Sequence, residues 1–303
     1  MSSAGTVAML ALMALLAGGC AEPGPALNEA AMPCTAAAAT RIEADTSKFL
    51  QGRFGQLESD TPDILRYADA AALRQALGFS PSDRTSGYYD RAADRIHVAC
   101  SGKPGFAALL MHEATHRYLY RRFAFRPGTD RFSAGEALPA VPPWLQEGLS
   151  SWMESAKITE SGLELRINAA RLAEFRQLLW RGRLPPLERV LATGFDEPFR
   201  SPDYAVSWAL IWYLMQDAQG REGVAAYLEA ARLGFFDEPE REYPAMVAAC
   251  DEFSCFMRVW DEHVSAASAR LFRTFLQTQG QMPDEWELAW RRAIWAIVPD
   301  GRP

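Results

Sequence analysis

Histidine is scarce in this sequence: four occur among 303 residues, alongside five cysteines. No run of Lys or Arg occurs and the formal net charge is −7, which excludes a partner held through a nucleic-acid phosphate backbone. No internal repeat is visible. No two cysteines have CxxC spacing, which argues against a structural zinc ribbon. The apolar stretch Thr6 to Leu16 is too short to span a bilayer. What is present is ordinary globular composition, 49% hydrophobic and 23% charged, enough chain for one large domain or two small ones.

The short apolar stretch has the length of a signal-peptide core, and residues 1–19 read as a signal peptide. It runs into Ala17-Gly18-Gly19-Cys20, which resembles a bacterial lipobox. That resemblance implies lipidation of Cys20, a membrane partner reached through an N-terminal lipid anchor, and a cell-envelope location. With Ala21 in second place, it implies the outer membrane facing the periplasm. The alternative is plain export with Cys20 incidental. Residues 20–39, rich in Ala and Pro, read as a tether, leaving 40–303 as the folded domain. Cys34, Cys100, Cys250 and Cys255 make an even set suited to an oxidising compartment. Among three connectivities we expect 34–100 with 250–255, the latter requiring a helix break between its two members.

Strands are expected at 63–68 and in a hairpin of 87–89 with 95–99. Ser101 and Pro104 signal a helix start, and Phe106–Phe123 reads as one long, largely buried helix. After a Gly/Pro-rich loop, Pro142-Pro143 leads into a helical stretch, 144–154. A small hairpin at 157–165 and helices at 168–181, 204–217, 222–232, 245–249, 255–265 and 284–297 complete an α+β plan: sheet and central helix first, then a mainly helical C-terminal half (142–303). The nine tryptophans are expected to pack the core.

The chemistry centres on His112-Glu113-Ala114-Thr115-His116. Helix positions four apart share a face, so two imidazoles converge on one point and can bind one Zn²⁺. Glu113 lies about 100° round the helix, displaced from the metal axis and placed to hydrogen-bond a water as general base. The flanking FAALLM of 106–111 buries this helix, and unpaired polar groups there are costly. Two histidines leave the metal one protein ligand short. Glu147 lies in an apolar-rich helical stretch beside Gly148, which permits close approach to another helix. Glu136, Glu154 and His263 are the alternatives for that third place.

An HExxH followed, after a loop, by WLQEGLSSWME resembles the gluzincin metallopeptidases. The WLxEGxxxxxE form is shared by aminopeptidase-N-like enzymes and peptidase-MA-like bacterial proteins. The likeness is clearest from Tyr88 to Leu214. It implies a thermolysin-like core, a small sheet lying over the HExxH helix, with His112, His116 and Glu147 as ligands to one Zn²⁺ per chain and Glu113 as base. Thermolysin has an acidic residue four after its third ligand; Ser151 stands there here, and Glu154 is a candidate to orient a zinc-bound histidine in its place. Tyr204, early in an apolar helix, resembles the tyrosine that contacts the tetrahedral intermediate, with His263 as rival donor. His97, alternating with Ile96 and Val98, reads as outward-facing on its strand. The function expected is zinc-dependent cleavage of amide bonds in a peptide or protein substrate. The alternatives are a non-catalytic envelope binding or assembly module that retains zinc, and an amidase acting on cell-wall material. The GxMEN segment of aminopeptidase-N-like enzymes has no counterpart, so no exopeptidase is expected.

Overall fold

A computed structural model describes residues 32–57, 61–80, 85–102, 105–127, 137–278 and 282–298. Cys20 and Glu136, both singled out above, lie outside the described residues, as do 1–19.

The first helix, α1 (Ala36–Phe54), opens inside the stretch read as a tether. Alanine is the best helix former, and the Thr35 side chain caps the start by accepting from the Ala38 N–H at 3.2 Å. Ile42, Leu50 and Phe54 bury along one face together with Glu43, Thr46 and Ser47. Strand β1 (Asp63–Tyr67) is followed by α2 (Ala70–Leu77), capped by Asp69 and ended by Gly78 in the left-handed region. Strands β2 (Gly87–Asp90) and β3 (Arg95–Ala99) form the expected hairpin. The sheet order is β1-β3-β2, with β1 parallel to β3, so β2 is an edge. Ile96 and Val98 of β3 are fully buried, and α3 (Phe106–Phe123) packs against β2, β3 and α1.

His97 corrects one expectation. It faces away from Ile96 and Val98 yet is buried, because Tyr67 stacks on it and bonds its Nδ1 at 2.8 Å, and Tyr88 closes from the other side.

The remaining chain is the helical half: α4 (Pro143–Met153), a two-stranded hairpin β4 (Lys157–Thr159) and β5 (Gly162–Glu164), α5 (Ala169–Trp180), α6 (Leu187–Leu191), α7 (Ser201–Leu214), α8 (Ala218–Arg232), α9 (Pro239–Ala248), α10 (Phe253–Thr278) and α11 (Pro283–Ala296). The short α6 was not anticipated. Helix α7 starts three residues before Tyr204: Pro202 suits a first turn, and Asp203 bonds back to the Arg200 N–H at 3.0 Å. Trp144, Trp208, Trp260 and Trp290 are fully buried. Three of their indole N–H groups find acceptors: Ser268 Oγ for Trp144, Pro139 O for Trp260 and Ala209 O for Trp290.

Both expected disulfides form. Cys34–Cys100 ties the residue before the α1 cap to the residue after β3, and Cys250–Cys255 closes the break between α9 and α10. Two such bonds point to an oxidising compartment. No helix of the described residues is long and apolar enough to cross a membrane.

Candidate metal site

Helix α3 carries His112 and His116 one turn apart, their Nε2 atoms 3.0 Å from each other. Glu147 arrives from α4. Pro142 and Pro143 start that helix, and buried Trp144, Leu145 and Leu149 set its inward face. Gly148 sets its depth: a Cβ there would stand 2.8 Å from the Ser207 carbonyl oxygen and 2.7 Å from Ile211 Cγ1, so only glycine lets α4 lie this close on α7. The consequence is that Glu147 Oε2 comes to 3.3 Å from His112 Nε2 and 3.5 Å from His116 Nε2.

These three atoms fit a metal. Ligands about 2.0–2.1 Å from a tetrahedral zinc lie about 3.3–3.4 Å apart; the observed separations are 3.0, 3.3 and 3.5 Å. Glu147 Oε2 is buried and accepts no hydrogen bond. A carboxylate oxygen without a donor in such a place is costly unless a cation meets it. The side chains are nonetheless 12%, 15% and 18% exposed for His112, His116 and Glu147, so one flank of the cluster is open to a ligand or substrate.

Glu154, and not Ser151, fills the orienting place. Its Oε1 lies 2.8 Å from His112 Nδ1. Since its folded-state pKa is lowered, the carboxylate is the acceptor and Nδ1 carries a proton; in the neutral imidazole Nε2 is then the nitrogen left to bind a metal. Burial opposes that lowering; the bond to His112, the charges of His112 and Arg171, and the Asn168 bond outweigh it. Asn168 Nδ2 donates to Glu154 Oε2 at 3.0 Å while its Oδ1 caps α5 by accepting from the Arg171 N–H at 3.2 Å. Glu154 is thus a partner of a histidine, not the third ligand. Sequence reasoning missed Asn168 and Arg171, although an Asn immediately before a helical run is itself a cap signal.

Glu113 is buried on α3, offset from the three ligand atoms, as its position one residue after His112 requires. Burial raises its pKa, the neighbouring His112 and His116 charges lower it, and Glu147 and Glu154 raise it; the net direction is up. Gly87 of the edge strand lies directly against it: a Cβ at 87 would stand 2.6 Å from Glu113 Oε1.

Tyr204 stands in the first turn of α7, with Phe199 edge-on at 4.9 Å and the Arg171 guanidinium 4.9 Å from its ring centre. Burial, then the charge of Glu147, with smaller effects of Glu113 and Glu154, raises its phenol pKa, opposed by Arg171; the hydroxyl keeps its proton at neutral pH. His263 belongs elsewhere. Its Nε2 bonds the Gly234 carbonyl at 2.7 Å and its ring stacks on Phe236 at 4.4 Å, within an aromatic cluster around Trp260.

Residues 106–234 match the model of a protein family described only as a protein of unknown function (DUF1570). The matched span runs from the first residue of α3 to just past α8 and contains His112, Glu113, His116, Glu147, Glu154 and Tyr204. No curated protein matches the chain.

Proposed function

We propose that this chain is a zinc-dependent hydrolase of amide bonds in a peptide or protein substrate, of the gluzincin type with a thermolysin-like core. The observation that carries the reading is the meeting of His112 Nε2, His116 Nε2 and a donor-less Glu147 Oε2 at 3.0–3.5 Å, with a buried carboxylate, Glu113, beside them. A site serving structure alone has no use for that fourth group.

His112, His116 and Glu147 hold the ion, and Glu154 fixes the His112 tautomer. When bound, zinc supplies Lewis acidity to the scissile carbonyl and lowers the pKa of water. Glu113 accepts the proton of the attacking water at a carboxylate oxygen and delivers it to the leaving nitrogen, and its raised pKa suits both transfers. The Tyr204 hydroxyl, kept protonated, donates to the oxyanion that develops as the carbonyl becomes tetrahedral. Strand β2 has an outer edge without a partner among the described residues, and Gly87 on it touches Glu113. An extended peptide pairing with that edge would bring its backbone to the base, which favours a peptide over a cell-wall amide. Export, the Cys20 lipid anchor and attachment to the envelope membrane belong to the same reading, and the two disulfides support an oxidising compartment for it.

The test compares the unchanged chain with Glu113→Gln. Both should carry one zinc per chain, and the variant should lose about 10³-fold in peptide cleavage. Equal activity would remove Glu113 from its role. A zinc-loaded, unchanged chain that cleaves neither peptides nor muropeptides would instead favour the non-catalytic binding module.

A further inference from the structure

Tryptophan is mostly interior in this protein, and two exceptions fall together. Trp180, the last residue of α5, is 77% exposed, and Trp295 near the end of α11 is 49% exposed. Helix α11 buries Trp286, Trp290 and Ile294 at helical spacing and turns Leu288, Arg292 and Trp295 outward at i, i+4 and i+7. Arg176 joins the two helices: its Nη2 donates to the carbonyl oxygens of Trp295 and Ile297, and its guanidinium lies 6.0 Å from the Trp295 ring centre. Trp180 is four residues along α5 from Arg176, on the same helix face. One exposed indole thus lies beside the Arg176 guanidinium, and the other stands one turn further along the same helix as Arg176.

The charge around them runs against that of the whole molecule. In a chain of net charge −7, Arg181, Arg183 and Arg292 are exposed and form no ion pair among the described residues. Glu287 is already paired, with Arg291, and the exposed acids of the first α11 turn, Asp284 and Glu285, number one fewer than these three arginines. Indoles favour the boundary between headgroups and acyl chains, and unpaired arginines favour phosphates. Both indoles stand near helix ends and are exposed, a placement suited to a bilayer surface.

We propose that the face formed by Trp180, Arg181, Arg183, Arg292 and Trp295 docks on a bilayer surface bearing anionic lipid headgroups. The attachment needs no helix to enter the membrane and does not depend on the metal site. Three arginines near an anionic surface strengthen binding roughly a hundredfold in total, and salt weakens it.

The test is co-sedimentation of the full chain with phosphatidylcholine vesicles made with and without phosphatidylglycerol. The N-terminal segment is common to every variant compared. The chain should bind the anionic vesicles more tightly, with a blue shift of tryptophan emission. Arg181→Gln/Arg183→Gln/Arg292→Gln should lose at least about tenfold of that affinity while its binding to phosphatidylcholine stays the same. Trp180→Ser/Trp295→Ser should lose a similar amount together with the blue shift. All five side chains are exposed, so thermal midpoint and zinc content should not change. Variants that bind anionic vesicles like the unchanged chain would overturn the proposal. So would sedimentation equilibrium showing a dimer that the tryptophan variants dissolve, since a second copy would then be what covers this face.

Discussion

Two ionisable clusters hang from neighbouring residues of α3, and they are finished differently. Arg117 is 2% exposed. Its Nε and Nη2 donate to the two oxygens of Asp94 at 2.9 and 3.0 Å, and its Nη1 donates to Glu43 Oε1 at 3.1 Å. Tyr89 adds a bond to Asp94 and Ser47 one to Glu43, so both acids have donors from other elements. This network pins α3 to α1 and to the β2–β3 hairpin. His116, the residue before Arg117, points instead to His112 and Glu147, where a buried carboxylate oxygen has no donor at all. The same helix thus carries one set of charges completed by the protein and one left for an ion to complete. Burial alone does not mark a functional charge. A buried charge that the fold leaves open does.

The comparison breaks most sharply through a pair of substitutions. Glu147→Gln should abolish zinc retention and cleavage, lowering zinc affinity more than a hundredfold, beyond the range for an outer-shell partner. In the metal-free protein it removes a partner of protonated His112, so any stability it costs should shrink as pH rises and His112 loses its proton. Arg117→Met should do the reverse. It strands Asp94 and Glu43 and should cost about 3–5 kcal/mol of folding stability, yet the folded fraction should still bind one zinc. Calorimetry with zinc analysis on both variants decides the matter. If Arg117→Met loses zinc in proportion to nothing but its own side chain, with folding unchanged, the two clusters are one.

Smaller effects test how the open cluster is held. Glu154→Gln keeps an acceptor for His112 Nδ1 but removes the charge; it should weaken zinc binding about tenfold, at the low end for such partners, and lower stability at neutral pH, where the folded state favours the Glu154 charge. Gly87→Ala should leave zinc in place and reduce turnover by about tenfold or more, since a 1 Å misplacement of a catalytic group can cost that or more. The added methyl would stand 2.6 Å from Glu113 Oε1 and displace it. Unchanged turnover in Gly87→Ala would mean that Glu113 can move aside and still work, or that it does not work at all; Glu113→Gln separates the two.

Much of this was legible in the residues. HExxH spacing, the apolar FAALLM before it and the Pro-Pro start of α4 are local signals, and local signals placed α3, α4, the β2–β3 hairpin and the identity of the cluster. What stayed hidden depends on contacts far apart in sequence. Arg117 is closed by Glu43, 74 residues away, and no pattern along α3 announces that. Glu154 is compatible with a solvated helix face until Asn168, at the start of α5, covers it. His97 alternates like an outward residue, and only the rings of Tyr67 and Tyr88 make that side an interior. The first turn of α1, residues 36–39, falls in the stretch read as tether because its alanine-rich start follows a proline-rich one, although Thr35 was available as a cap signal. Tyr204 is singled out only by likeness to a family, and no spacing rule points to it.

The gentlest probe of the contrast is pH. Burial would lower the His112 pKa, but Glu147 lying 3.3 Å from its Nε2, the bond to Glu154 and the charges of both outweigh this and raise it well above the ordinary value. In the metal-free protein the stability contributed by protonated His112 is therefore fully present below about pH 6.5, its unfolded value. It is lost as pH rises through the higher folded value. Zinc needs the neutral imidazole, so protons compete with it and zinc-linked stabilisation grows as pH rises. Thermal midpoints of the stripped and loaded protein should diverge by a few degrees between about pH 6 and 8.5, the stripped curve falling relative to the loaded one. The Arg117 network involves no histidine, so Arg117→Met should lower both curves without changing their divergence. Glu147→Gln should remove the divergence. Parallel curves in the unchanged chain would mean that proton and metal do not contend for His112, and that the ion is held somewhere else.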